Sequence, residues 1–194
     1  MFLYFWEKFK KMDKNVLVLI DVQNDFITGS LKNDDALKAI PNIVEKVKNF
    51  DGDYIVCTRD SHHDDYLLTT EGKNLPFIHC IQGTYGWEIQ EDVQNALNNK
   101  RIPVLYFDKN AFGSLLLGRY IEILKNGEPQ DVEINVEMCG FVSSICVISN
   151  ALLIKAFVPD KCNITVDSSC IAGLYKENND SAIEVMRSCQ INVI

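Results

Sequence analysis

From residue 15 onward the chain alternates short, continuous apolar runs with longer amphipathic stretches. "NVLVLI" at 15–20, "YIVCT" at 54–58 and "IPVLYF" at 102–107 have strand length and are rich in β-branched and leucine side chains. A run that is apolar at every position, rather than at alternate ones, describes a strand buried on both faces. Between these runs lie "AIPNIVEKVKNF", "WEIQEDVQNALNNK" and "SLLLGRYIEILKNG", whose apolar residues recur at helical spacing; the last is closed by Gly127, with Pro129 just beyond. The alternation continues with strand-like "DVEINVEMCG", helical "SSICVISNALLIKAF", strand-like "CNITVD", helical "DSAIEVMRS" and a last strand in "INVI". Strand and helix in turn, with no internal repeat and no low-complexity linker, predict an α/β fold: three layers, α/β/α, around a central, mostly parallel sheet.

A chain of 194 residues, 47% hydrophobic and 24% charged, suits one ordered domain. We place it at 15–194, with residues 1–14 as an N-terminal extension. "MFLYFWEKFKK" is too short for a membrane span and lacks the order of a signal peptide. Met12 would then be the natural start; the competing reading is a short amphipathic helix. A formal net charge of −8 with no basic cluster argues against nucleic acid as a partner and leaves a small molecule as the default. Seven cysteines, an odd number without a CxxC pair, fit a reducing, cytoplasmic compartment better than a disulfide framework. No membrane association is expected, and a homo-oligomer is compatible with the chain.

In parallel α/β sheets, ligands bind beyond the carboxyl ends of the strands. The residues there are Asp21 in "LIDVQNDF", Asp60 and His62 in "TRDSHHDD", Lys109 in "YFDKNAFGS" and Cys146 in "CGFVSSIC". Each has a bland reading: a turn aspartate, a solvated lysine, a small buried hydrophobe. All four strand ends fall on one edge of the predicted sheet, and that weakens the bland readings together. A helix beginning after Ser144 would bring amide N–H groups and a positive dipole end to Cys146, lowering its thiol pKa and offering an oxyanion hole. A thiol nucleophile needs a proton acceptor. The histidines, His62, His63 and His79, all lie in one segment resembling a ligand cluster. If that segment holds a metal, the base must be a carboxylate, and Asp21 is the candidate. Lys109 would then favour the thiolate.

With "PFIHCIQGTYG" added, these motifs, in this order from about Asn15 to the end, resemble the isochorismatase-like cysteine hydrolases, most closely the nicotinamidase/pyrazinamidase branch. The resemblance implies a triad of Asp21, Lys109 and Cys146. It also implies a non-proline cis peptide at Phe141–Val142, with the Val142 and Cys146 amides at the oxyanion. It implies one divalent metal beside the triad, zinc first and iron or manganese as the others. Asp60, His62 and His79 match three ligands of that site; where a further histidine is common, this chain has Leu68. Glu71 is our choice for the remaining ligand and His63 its rival, since His63 adjoins His62 and would point away on an extended segment. Val142-Ser143-Ser144 departs from the usual Ala-Thr-Asp of the nucleophile motif. Phe26, Phe77 and Phe112 are candidate walls for a flat ring.

The implied reaction is hydrolysis of nicotinamide to nicotinate and ammonia through a thioester on Cys146, a step of NAD salvage. The alternative is a relative acting on another carboxamide, carbamoyl or ureido group. A non-catalytic binding protein on the same fold is a third reading, against which the intact triad counts.

Overall fold

The computed structural model describes residues 13–194. The proposed extension therefore lies mostly outside the described residues, but its last two members do not: Lys14 already opens the first strand, and its N–H donates to the Glu133 carbonyl at 2.9 Å.

Six strands form one sheet: β1 (Lys14–Ile20), β2 (Tyr54–Asp60), β3 (Val104–Lys109), β4 (Ile134–Phe141), β5 (Cys162–Ala172) and β6 (Asn192–Val193). Their order is β3-β2-β1-β4-β5-β6, and every pairing is parallel. The helices are α1 (Asp34–Asn49), the short α2 (Thr70–Asn74), α3 (Glu91–Asn98), α4 (Leu115–Asn126), α5 (Ile148–Phe157) and α6 (Lys176–Ser188). Central β1 shows why its sequence is apolar throughout. Val16, Val18 and Ile20 pack beneath α4, α5 and α6, while Leu17 and Leu19 pack beneath α1 and α3, and all five are fully buried.

Several boundaries differ from the sequence pattern for identifiable reasons. The first helix starts at Asp34, because the Asn33 side chain caps it by accepting from the Asp35 and Ala36 amides at 2.9 and 3.1 Å. Pro41 is thus interior rather than near the start. Helix α3 begins only at Glu91, after Gln90 accepts from the Val93 amide. Residues Ser143–Val147 form a π-helical turn before α5, so Cys146 does not sit in the first turn of an α-helix. No helix among the described residues is long and apolar enough to cross a membrane.

The chain winds outward through β1, β2 and β3, then returns to the centre and winds the other way through β4, β5 and β6. The switch point lies between the carboxyl ends of β1 and β4, where such sheets open a crevice.

Candidate active site

Asp21 follows β1 with φ 49° and is fully buried. Aspartate tolerates this left-handed conformation better than most residues. The Thr58 hydroxyl donates to Asp21 Oδ1 at 2.6 Å, and Oδ2 lies 2.6 Å from Lys109 Nζ. Lys109, the last residue of β3, is registered beside Asp60, the last residue of β2. Its ammonium also lies 3.2 Å from Asp60 Oδ1 and 3.6 Å from Cys146 Sγ. Beside Asp21, β4 comes very close to β1: a Cβ on Gly140, where φ is 121°, would stand 2.0 Å from the Ile20 carbonyl oxygen. The next peptide bond, Phe141–Val142, is cis.

The electrostatics of this group correct one expectation. Burial, with the charges of Asp21 and Asp60, raises the Cys146 thiol well above its usual range, and Lys109 only partly offsets them. Its deprotonation therefore depends on a neighbouring base. Burial likewise raises the proton affinity of Asp21 despite the ion pair with Lys109. Burial lowers the Lys109 pKa, but Asp21, Cys146 and Asp60 outweigh it and keep the amine protonated.

Asp60, His62, Glu71 and His79 form a second group, with their ligand atoms all within 4.8 Å of one another. Asp60 Oδ2 is 3.0 Å from His62 Nε2 and 3.3 Å from His79 Nε2; Glu71 Oε1 is 3.8 and 3.7 Å from the same two nitrogens. His79 Nδ1 bonds the Phe77 carbonyl at 2.8 Å, which turns its Nε2 to the cluster. The Tyr66 ring packs on both imidazoles. Burial of Asp60 is outweighed by His62, His79 and Lys109, which hold its carboxyl well below the usual range. Two imidazole nitrogens and two carboxylates converging at this spacing fit a divalent cation. Glu71 enters the group from the first turn of α2, whereas His63 is exposed.

The sequence matches the Isochorismatase domain over residues 15–194. The chain belongs to the isochorismatase family. Among solved structures, the pyrazinamidase/nicotinamidase of Streptococcus mutans is 26% identical, with a TM-score of 0.76 over 93% of this chain and 100% of that one. The zinc complex of the Pyrococcus horikoshii pyrazinamidase is 25% identical, with a TM-score of 0.74 over 93% and 98%. The N-carbamoylsarcosine amidase of Thermoplasma acidophilum, 20% identical with a TM-score of 0.67 over 93% and 95%, shares the fold. No protein among curated sequences matches the chain.

In this isochorismatase-like hydrolase a cavity of about 790 Å³ is lined by His62 and Glu71 of the second group and by Asn110 and Ile145, the chain neighbours of Lys109 and Cys146. Phe112, Tyr66, Ile145 and Leu174 give it apolar walls; His62, His63, Glu71 and Asn110 give it polar ones. Of the three phenylalanines expected to wall a ring, Phe112 lines this cavity. Phe26 does not: it is buried behind His79, edge to face at 5.7 Å. Phe77 does not either, since its side chain is exposed and its carbonyl is what meets His79.

Two buried amides escaped the sequence reading. The Gln23 side chain donates to the Asp60 carbonyl at 2.8 Å and accepts from the Asp60 amide at 2.7 Å, holding the ends of β1 and β2 together. Asn150 bonds backbone atoms of both Cys146 and the loop after β3. The only signal for either was a polar residue inside an apolar or helical run. All seven cysteines of this family member are free thiols.

Proposed function

We propose that this isochorismatase-family hydrolase is a cysteine amidase acting on nicotinamide, with Asp21, Lys109 and Cys146 as its catalytic residues. One observation carries the reading: the Lys109 ammonium contacts Asp21, Asp60 and Cys146 at once, so the thiol, its base and the candidate metal group form one continuous unit. The likeness to pyrazinamidase/nicotinamidase structures at 25–26% identity supports the substrate class.

Cys146 Sγ attacks the carboxamide carbon as its proton passes to Asp21. The amides of Val142 and Cys146 receive the developing oxyanion. Collapse of the adduct breaks the C–N bond, and Asp21 returns the proton to the departing nitrogen, which leaves as ammonia. Water, deprotonated by Asp21, then cleaves the thioester, and the free acid leaves as the thiol is regenerated. Lys109 stays protonated throughout and balances the charge that moves between carboxylate and sulfur. A divalent ion, zinc first, held by Asp60, His62, Glu71 and His79 would supply a Lewis acid able to dock a ring nitrogen.

A carbamoyl or ureido amide is the second reading, favoured by the further polar side chains, Asp65 and Asn74, that line the cavity. Ammonia release from nicotinamide, pyrazinamide and a carbamoyl amine, with and without chelator, tests both. Turnover of nicotinamide that chelator abolishes supports the first reading; turnover of the carbamoyl amine alone replaces it with the second.

A further inference from the structure

Helix α5 reads "ISNALLIKAF" and is apolar apart from Ser149, Asn150 and Lys155. Asn150 is the exception that faces inward: it is fully buried. Asparagine is a poor residue for a helix interior, and a buried amide is costly unless its polar atoms are satisfied. Alanine or leucine would serve the helix and the core better. What the side chain does instead is bond three backbone groups. Its Nδ2 donates to the Cys146 carbonyl at 2.8 Å and to the Phe112 carbonyl at 3.1 Å, and its Oδ1 accepts from the Ser114 amide at 2.8 Å.

Those groups belong to two segments that the Lys109 Nζ–Cys146 Sγ hydrogen bond at 3.6 Å also joins. One is the π-helical turn Ser143–Val147 that carries the thiol. The other is the loop from Lys109 to Ser114, which begins at the lysine, supplies Phe112 to the cavity wall and ends at the N-cap of α4. A π-helical turn departs from the regular i→i−4 ladder, so it needs outside contacts to hold one geometry. The distance from Lys109 Nζ to Cys146 Sγ spans the two segments.

We propose that Asn150 is a positioning residue for the amidase reaction: it fixes the Cys146 turn against the Lys109–Ser114 loop, and so sets the nucleophile relative to both its lysine and the substrate wall. This rests on the catalytic reading of Cys146 given above. It also explains why one buried amide is tolerated in an apolar helix.

The test compares Asn150→Asp, which keeps shape and the Ser114 acceptor but loses both donors, with Asn150→Ser and with Leu153→Ala. Leu153 packs on the same loop, at Gly113, without bonding either segment. Three readings are taken: thermal melting, the rate of Cys146 alkylation by iodoacetamide, and kcat and KM for the amide that is turned over. Misplacement of about 1 Å can cost about 10²-fold in rate. In the Asn150 variant that melts closest to wild type, kcat and the alkylation rate are expected to fall together, by about 10- to 100-fold. Leu153→Ala, although destabilised, is expected to keep both within about 3-fold. A folded Asn150 variant with unchanged alkylation and kcat overturns the proposal, as does an equal loss in Leu153→Ala. The alkylation rate needs no substrate, so it reports on Asn150 even if every amide tested proves inert.

Discussion

The carboxylate of Asp60 is divided between two neighbours: Oδ1 lies 3.2 Å from the ammonium of Lys109, while Oδ2 faces His62 at 3.0 Å. One side chain therefore joins the lysine beside Cys146 to the candidate metal group. Any change at Asp60 should disturb both halves, whereas changes at the far ends of the unit should separate them.

Cys146→Ala is expected to remove amide hydrolysis, with a loss on the order of 10⁴-fold or more, and to leave melting nearly unchanged, because it deletes one sulfur. Iodoacetamide labelling read by mass spectrometry should single out Cys146 once substrate protection is included. Protection of a different cysteine by substrate would move the nucleophile elsewhere.

Asp21→Asn should lower kcat by about 10²–10⁴-fold, the usual worth of a general base. Burial, with the charges of Asp21 and Asp60, raises the Cys146 pKa well above its ordinary value, so the thiol depends on a base to lose its proton. Steady-state kinetics at saturating substrate is the measurement, and a kcat within tenfold of wild type would refute the role.

Asp60→Ala should lose bound metal, and Glu71→Ala should weaken its retention, as read by elemental analysis after dialysis. His63→Ala should retain it, since His63 is exposed and stands outside the cluster. Loss of metal in His63→Ala with retention in Glu71→Ala would reverse the assignment.

Away from the site, Lys46 pairs with Asp167 at 2.7 Å and also contacts Glu137. Burial of Asp167 is outweighed by its bonds with Lys46 and Ser169, so its folded pKa is depressed. The stability it contributes is complete above the unfolded value of about 3.9 and is lost as pH falls through the folded value. Burial of Lys46 is in turn outweighed by Asp167 and Glu137, so its folded pKa is raised. Its share is complete below about 10.4 and is lost as pH rises through the folded value. Asp167→Asn should cost about 1–3 kcal/mol near neutrality, and the gap to wild type should narrow below about pH 4. Urea titrations at several pH values check this; a gap independent of pH would show that the ion pair is not its source.

Gly140→Ala should destabilise by at least about 2 kcal/mol. The residue adopts φ 121°, and its new Cβ would meet the Ile20 carbonyl oxygen at 2.0 Å. Unchanged thermal melting would mean that β1 and β4 can separate at little cost.

The layering was legible in the pattern of residues alone. Runs such as "NVLVLI" cannot be solvated on either face, and only a sheet covered on both sides buries them. The same pattern also determined which residues end the strands, because the change from apolar to polar marks each carboxyl edge, and this brought Asp21, Asp60, Lys109 and Cys146 onto one rim. The α5 start was misread because a π-helical turn and an α-helix share the same apolar spacing over five residues. Phe26 and Phe77 were placed in the pocket from residue type alone, and type does not tell which side of His79 a ring will occupy. The tertiary structure decided what depends on distance between segments far apart in the chain. It brought Glu71 rather than His63 to the imidazoles through the cap of a five-residue helix. It made burial and two carboxylates outweigh one lysine at the Cys146 thiol. It also gave Gln23 and Asn150 their backbone partners, 37 residues away at Asp60 and 38 at Phe112. Periodicity registers only neighbours along one element, whereas pKa values, ligand sets and buried amides answer to every group that folding packs around them.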